Sequence, residues 1–295
     1  MDLHSVEYSV DALARVATIT LSRPERLNAI NDQMPREIRM CVEAANADDR
    51  VHVIVLQGQG RAFCSGYDLK VYSEGSPVGP GSINQDMPWD PTVDFQFMWE
   101  NTQDFMALWR SLKPTICKVH GFAVAGGSDI ALCCDMVVIA DDARIGYPPA
   151  RVWGCPTTAM WSYRLGPEKA KRMLLTGELI SGAEAAKIGL VLEAAPADTL
   201  DSHVTSLAAR IASVPRSQLI MQKMVINQTV EAGMAATQRL ATVFDGVTRH
   251  SPEGVWFKHR SEQVGFANAV RERDSGEPIA PQVAKASIKR SRARL

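Results

Sequence analysis

No CxxC pair, no HxxxH pair and no cluster of histidine with cysteine occurs in the sequence, so its spacings ask for no metal ion. No apolar run approaches the ~18 residues that a membrane-spanning helix needs. The first ten residues, MDLHSVEYSV, are acidic and polar without an apolar stretch, which argues against a secretory signal. Neither charge sign is in excess: 32 Lys and Arg stand against 33 Asp and Glu. Overall charge therefore gives no reason to expect nucleic acid or a membrane surface as partner. There is no GxGxxG spacing and no P-loop lysine, so the sequence does not announce a dinucleotide or nucleotide phosphate site. No internal repeat is found. The six cysteines, at 41, 64, 117, 133, 134 and 155, lie mostly in apolar segments and are expected as buried free thiols of a cytoplasmic protein.

The chain does have enough apolar residues, 46% of 295, to bury a large core. Short β-branched runs at Val6–Val10, Val16–Leu21, Val51–Gln57, Thr115–Val119 and Met136–Ala140 alternate with helical patterns near Asp32–Ala45, Phe95–Leu112 and Gly126–Cys134. This alternation predicts an α/β fold. From Gly166 onward strand signals fade, and 167–175, 182–188, 197–212, 215–233 and 234–270 show helical spacing. The expected organisation is a core over 1–195, a helical region over 196–275 and a basic tail over 276–295. Glu74–Pro91, dense in Gly, Pro, Ser and Asp, is expected to be a lid or binding loop. The tail carries Lys285, Lys289, Arg290, Arg292 and Arg294 and is expected to be solvated, with an arm for an anionic partner as the alternative.

Two strand ends run into glycine-centred loops. Arg61-Ala-Phe-Cys-Ser-Gly-Tyr-Asp-Leu69 follows one, and Ser65 and Gly66 there let a ligand approach the main chain. His120-Gly-Phe-Ala-Val-Ala-Gly-Gly-Ser-Asp129 follows another and leads from Gly126-Gly127 into a helix. The free N–H groups at that helix start favour a developing negative oxygen. Either loop alone is an ordinary tight connection. Together they suit gripping one oxyanion from two sides, each donor contributing ~2.7–4 kcal/mol to the transition state. Asp129 follows Gly126 by three residues, about one turn on, either beside that oxygen or simply complementing the helix dipole.

These segments resemble the crotonase (enoyl-CoA hydratase/isomerase) family. Arg23-Pro-Glu-Arg-Leu-Asn-Ala-Ile30 is similar to its RPxxLNAL segment, Phe63–Leu69 to its FxAGADL loop, and Gly121–Asp135 to its GxAxGGGxELALxCD segment. Leu165–Val191 is similar to its LTGxxxxAxxAxxxGLV signature, and the likeness spans about residues 6–275. The resemblance implies a core of repeated ββα units and a helical C-terminal region that trimerises, giving a homotrimer or homohexamer. It implies an acyl-CoA substrate, with coenzyme A as part of that substrate and no separate cofactor. It assigns the oxyanion hole to the N–H groups of Ser65 and Gly126, the coenzyme path to Arg26, Leu27 and Ala29, and acid/base work to Asp129. Gly66, Tyr67, Asp68, Gly127, Tyr147 and Pro149 complete the expected substrate-binding set.

Two departures bear on the reaction. Hydratases of the family use two glutamates. The first becomes Asp129, one methylene shorter, and the second falls at Pro149, which cannot transfer a proton. Tyr67, Tyr147, Arg151, Asp86 and Asp90 are the candidates to replace it. Hydration, double-bond isomerisation and hydrolysis, in lipid, sterol or aromatic-acid breakdown, stay open, as does an acyl-CoA-binding protein with weak catalysis.

Overall fold

The computed structural model describes residues 1–69 and 88–277. The loop candidate Asp86 and the tail beyond 277 lie outside the described residues. All five expected strands form: β1 (Val6–Asp11), β2 (Val16–Leu21), β3 (Val53–Gly58), β4 (Thr115–Val119) and, later in the chain, β6 (Met136–Ala140). Four more strands of three residues each appear: β5 (Phe122–Val124), β7 (Arg144–Gly146), β8 (Leu179–Ser181) and β9 (Glu193–Ala195). Strands therefore continue past Gly166. Three residues are too few to show an alternation, which is why these left no pattern.

The strands sort into two sheets, one in the order β1-β2-β3-β4-β6-β9 and one in the order β5-β7-β8. The β1–β2 hairpin is antiparallel and the rest of the large sheet is parallel. Successive strands β4 and β5, then β6 and β7, go one to each sheet, and each pair runs on into a helix: α3 (Gly126–Leu132) and α4 (Met160–Thr176). The repeated ββα core is thus present. Val53, Ile54, Val55 and Leu56 of β3 are all buried, as befits a parallel strand covered on both faces. Helices α1 (Met34–Ala47), α2 (Pro91–Arg110), α5 (Gly182–Lys187) and α6 (Leu200–Ala212) surround the sheets.

The C-terminal region begins with α7 (Arg216–His250), one continuous helix of 35 residues with no break at 233. It ends where Ser251 caps α8 (Pro252–Val264) by accepting from the Gly254 N–H, and Gly265 at φ 79° separates α8 from α9 (Phe266–Asp274). Polar side chains stitch α7 to the core. Lys223 Nζ meets Asp135 Oδ2 at 2.7 Å and the carbonyls of Lys113 and Leu108 at 3.1 and 3.3 Å. Asn227 donates to Trp109 O and Gln238 to Thr158 O, both at 3.0 Å. Among the described residues, no helix is long and apolar enough to cross a membrane.

The Lys223–Asp135 pair generates a stability prediction. Lys223→Met leaves the half-buried Asp135 carboxylate without its cation, which costs up to about 3–5 kcal/mol. The urea midpoint is expected to fall accordingly and to recover in part when Asp135→Asn is added. A single variant as stable as the parent contradicts this.

Candidate active site

After β3 the chain folds back along β5. Phe63 N–H donates to His120 O and Cys64 N–H to Phe122 O, both at 2.9 Å, and Val124 N–H returns to Cys64 O at 3.0 Å. This brings backbone against backbone. A Cβ on Gly127 would lie 2.4 Å from Cys64 O, and Gly66, at φ +95°, has Ala125 Cβ 2.9 Å from where its own Cβ would be. Ala125 itself sits at φ 53°, ψ −127°, a conformation costing of order 1–3 kcal/mol for a non-glycine residue. Its N–H is tied to Gly146 O at 3.0 Å, and the strained turn starts α3 beside the Ser65–Gly66 loop.

The early segment holds the other side of that loop. The Asn28 side chain is fully buried, accepts from Arg23 N–H and donates to the Gln59 and Ala62 carbonyls, each at 2.8 Å. Ile30 N–H donates to Gly66 O and Asp68 N–H to Ile30 O at 2.8 Å, while Ser65 N–H donates to Leu27 O at 3.1 Å. Arg23 bridges this layer to Asp68 at 3.0 Å. Asp68 is thus ion-paired to Arg23, and Gly127 is packed against the Cys64 backbone. Arg26 is exposed, Leu27 half-buried and Ala29 buried at the edge of this layer.

A cleft opens beside the two loops. Ser65, Tyr67, Gly126, Tyr147 and Pro149 lie on its wall, with Phe97, Met98, Trp153, Phe266 and Val270 making much of it apolar. Arg26, Leu27, Ala29, Gly66, Asp68, Gly127 and Asp129 are not on that wall. Asp129 is buried next to it, 3% exposed, with Oδ1 accepting from Thr158 Oγ1 at 2.7 Å. Burial pushes its carboxyl up to about 8; the Thr158 bond opposes the shift and the Asp245 charge adds to it. Burial likewise raises the Tyr67 and Tyr147 phenols, and the charges of Asp129 and Asp245 push both further.

The other candidates point elsewhere. Arg151 donates to the Arg273, Thr176 and Glu277 carbonyls. Asp90 caps α2 by accepting from Thr92 N–H. The cleft instead contains an acid that sequence reasoning missed, Asp245 of α7, with Arg249 one turn on. Their only trace was an Asp–Arg pair at helical spacing, which looks like any solvated surface pair. No group of three or more metal-binding side chains occurs among the described residues.

Comparison with known proteins places this geometry. The profile described as Enoyl-CoA hydratase/isomerase matches residues 11–254. A crystal structure of an enoyl-CoA hydratase from Mycobacterium smegmatis shares 45% identity over 93% of this chain and 94% of its own, with a TM-score of 0.86. EchA13 of Mycobacterium tuberculosis is 34% identical over 77% of this chain and 74% of its own. The 2,3-dehydroadipyl-CoA hydratase of Escherichia coli is 30% identical over 84% of this chain and 94% of its own. With the two-sheet ββα core, the paired glycine loops and this match over most of its length, the chain belongs to the enoyl-CoA hydratase/isomerase family.

Proposed function

We propose that the chain turns over acyl-CoA esters by holding the thioester oxygen at the Gly126 and Ser65 amides and moving a proton with Asp129. One observation carries this: a buried carboxyl lies one turn into α3, against a largely apolar cleft whose wall includes Ser65 and Gly126. Gly126 N–H, in the first turn of α3, has no intrahelical acceptor. Ser65 N–H has to share its bond to Leu27 O with the incoming oxygen. A carbonyl gripped there accepts charge, so its α-carbon becomes acidic and, in an unsaturated ester, its β-carbon electrophilic. The Arg26–Ala29 edge supports a coenzyme path leading to these amides. With a proton on Asp129 and water in the cleft, addition to a 2-enoyl ester is the reaction the site supports best.

Assembly follows from α7. Its polar face is buried against the core, while Met224, Val225, Ile226 and Phe244 are each at least 50% exposed. Such an apolar surface on one helix supports association into a trimer or hexamer.

Three outcomes are expected. Asp129→Asn keeps size and removes the exchangeable carboxyl proton, so turnover of the best 2-enoyl-CoA in a screen of acyl groups drops about 10²-fold or more with affinity nearly unchanged. Undiminished turnover leaves Asp129 a dipole-complementing acid. The hydration kcat/KM falls as pH rises through about 8, because the raised carboxyl loses its proton there. Tyr67, Tyr147, Cys133 and Cys155 around it are all held protonated well above that range by burial. A profile flat across that region contradicts Asp129 as the acid. Light scattering at micromolar concentration gives three or six copies, and a stable monomer overturns the assembly.

A further inference from the structure

We propose that Asp245 is a catalytic residue of this site, the carboxylate that takes the proton from water as its oxygen adds to the acyl chain. The proposal rests on the acyl-CoA reading above. Its starting point is placement: Asp245 comes from α7, distant in sequence from either glycine loop, yet it lines the same cleft as Pro149, Ser65 and Gly126. Buried acids on a ligand cleft need a reason, since each costs solvation unless paired. Asp245, 3% exposed, has one: Oδ1 accepts from Cys155 N–H at 3.0 Å and Oδ2 faces the Arg249 guanidinium. Cys155 belongs to the turn that carries Pro149, and the turn is tight, with Pro149 Cβ 2.7 Å from where a Gly154 Cβ would be. The same turn that lacks an acid thus clasps one from α7.

Asp274 also lines the cleft, but it is exposed and paired with Arg273 at 2.7 Å, whereas Asp245 is buried. Arg249 is also held by Asp94 at 3.2 Å, and Asp94 takes further bonds from Trp89 Nε1–H at 2.7 Å and His250 at 3.0 Å. Asp94 is saturated and is not on the cleft wall. Arg249 is buried and lines the cleft, and its Nε–H has no partner among the described residues. The phenols nearest to it, Tyr67 and Tyr147, stay protonated and cannot serve as bases.

The step balances with water alone. The water oxygen bonds to Cβ and its proton passes to Asp245. The π pair of the Cα=Cβ bond shifts to form the enolate, whose oxygen rests on the loop amides. Asp129 then gives its proton to Cα, and the proton on Asp245 passes through cleft water to Asp129. One water is consumed, one O–C and one C–H bond form, and both acids return to their starting state.

Two readouts separate the roles: hydration of a trans-2-enoyl-CoA, and exchange of α-protons for deuterium in the matching saturated acyl-CoA. Asp245→Asn is expected to lose hydration about 10²-fold or more while keeping α-exchange and saturated-ester affinity near the parent's. Asp129→Asn loses both reactions. Asp94→Asn, which loosens the same Arg249 without removing a cleft carboxylate, keeps hydration within a few-fold. Hydration undiminished in Asp245→Asn overturns the proposal alone. So does an equal fall in Asp245→Asn and Asp94→Asn, or a parallel loss of hydration and exchange in Asp245→Asn, since either marks a structural acid. A parent chain that neither hydrates nor exchanges any ester overturns the acyl-CoA reading, and this proposal with it.

Discussion

The site depends on one close approach, the backbone of Phe63–Gly66 lying on the backbone of Gly121–Gly127. Three hydrogen bonds of 2.9–3.0 Å zip the two segments together, and a side chain at Gly127 would run into the Cys64 carbonyl. Two loops from different strands are thereby set in fixed register, with Ser65 and Gly126 on one wall. The strain at Ala125 is tolerated because both neighbours over-determine it: Gly66 packs on one side and Gly146 O holds its N–H on the other. If Gly66 or Gly127 gained a methyl group, it would run into the facing loop and push the two segments apart.

Around that contact the polar groups form two separate systems. Arg23, Asn28 and Asp68 bind the early segment to the first loop from outside the cleft. Asp94, Arg249 and Asp245 bind α2, α7 and the Cys155 turn to one another on its inner side. The first system is structural throughout. The second ends in a carboxylate on the cleft wall, and that difference in position separates a clip from a candidate catalytic group.

Much of this was legible in the sequence, for physical reasons that differ by element. The five longer strands were readable because runs of five or six residues that include β-branched side chains make a pattern, and the glycine loops because close approach demands glycine. Ser65, Tyr67, Gly126, Tyr147 and Pro149, picked out in separate motifs, lie on the wall of one cleft. The three-residue strands β5, β7, β8 and β9 were not readable, because their pairing is set by neighbours in space. Asp245 was hidden for a related reason. It is an acid four residues before an arginine in a helix whose buried face includes Lys223, Gln238 and Arg249 while Met224, Val225 and Phe244 are exposed, so a hydrophobic pattern does not mark which face meets the core.

That inversion connects assembly to chemistry. An ordinary surface helix would present Lys223, Gln238, Asp245 and Arg249 to water and Met224, Val225 and Phe244 to the core. In α7 these polar residues reach inward to Asp135, to the Thr158 carbonyl and to the cleft, while Met224, Val225 and Phe244 face out. The Thr158 that Gln238 holds by its carbonyl is the same residue whose hydroxyl donates to Asp129. One helix therefore sets the surroundings of both carboxyls, positioning Thr158 against Asp129 and supplying Asp245 itself.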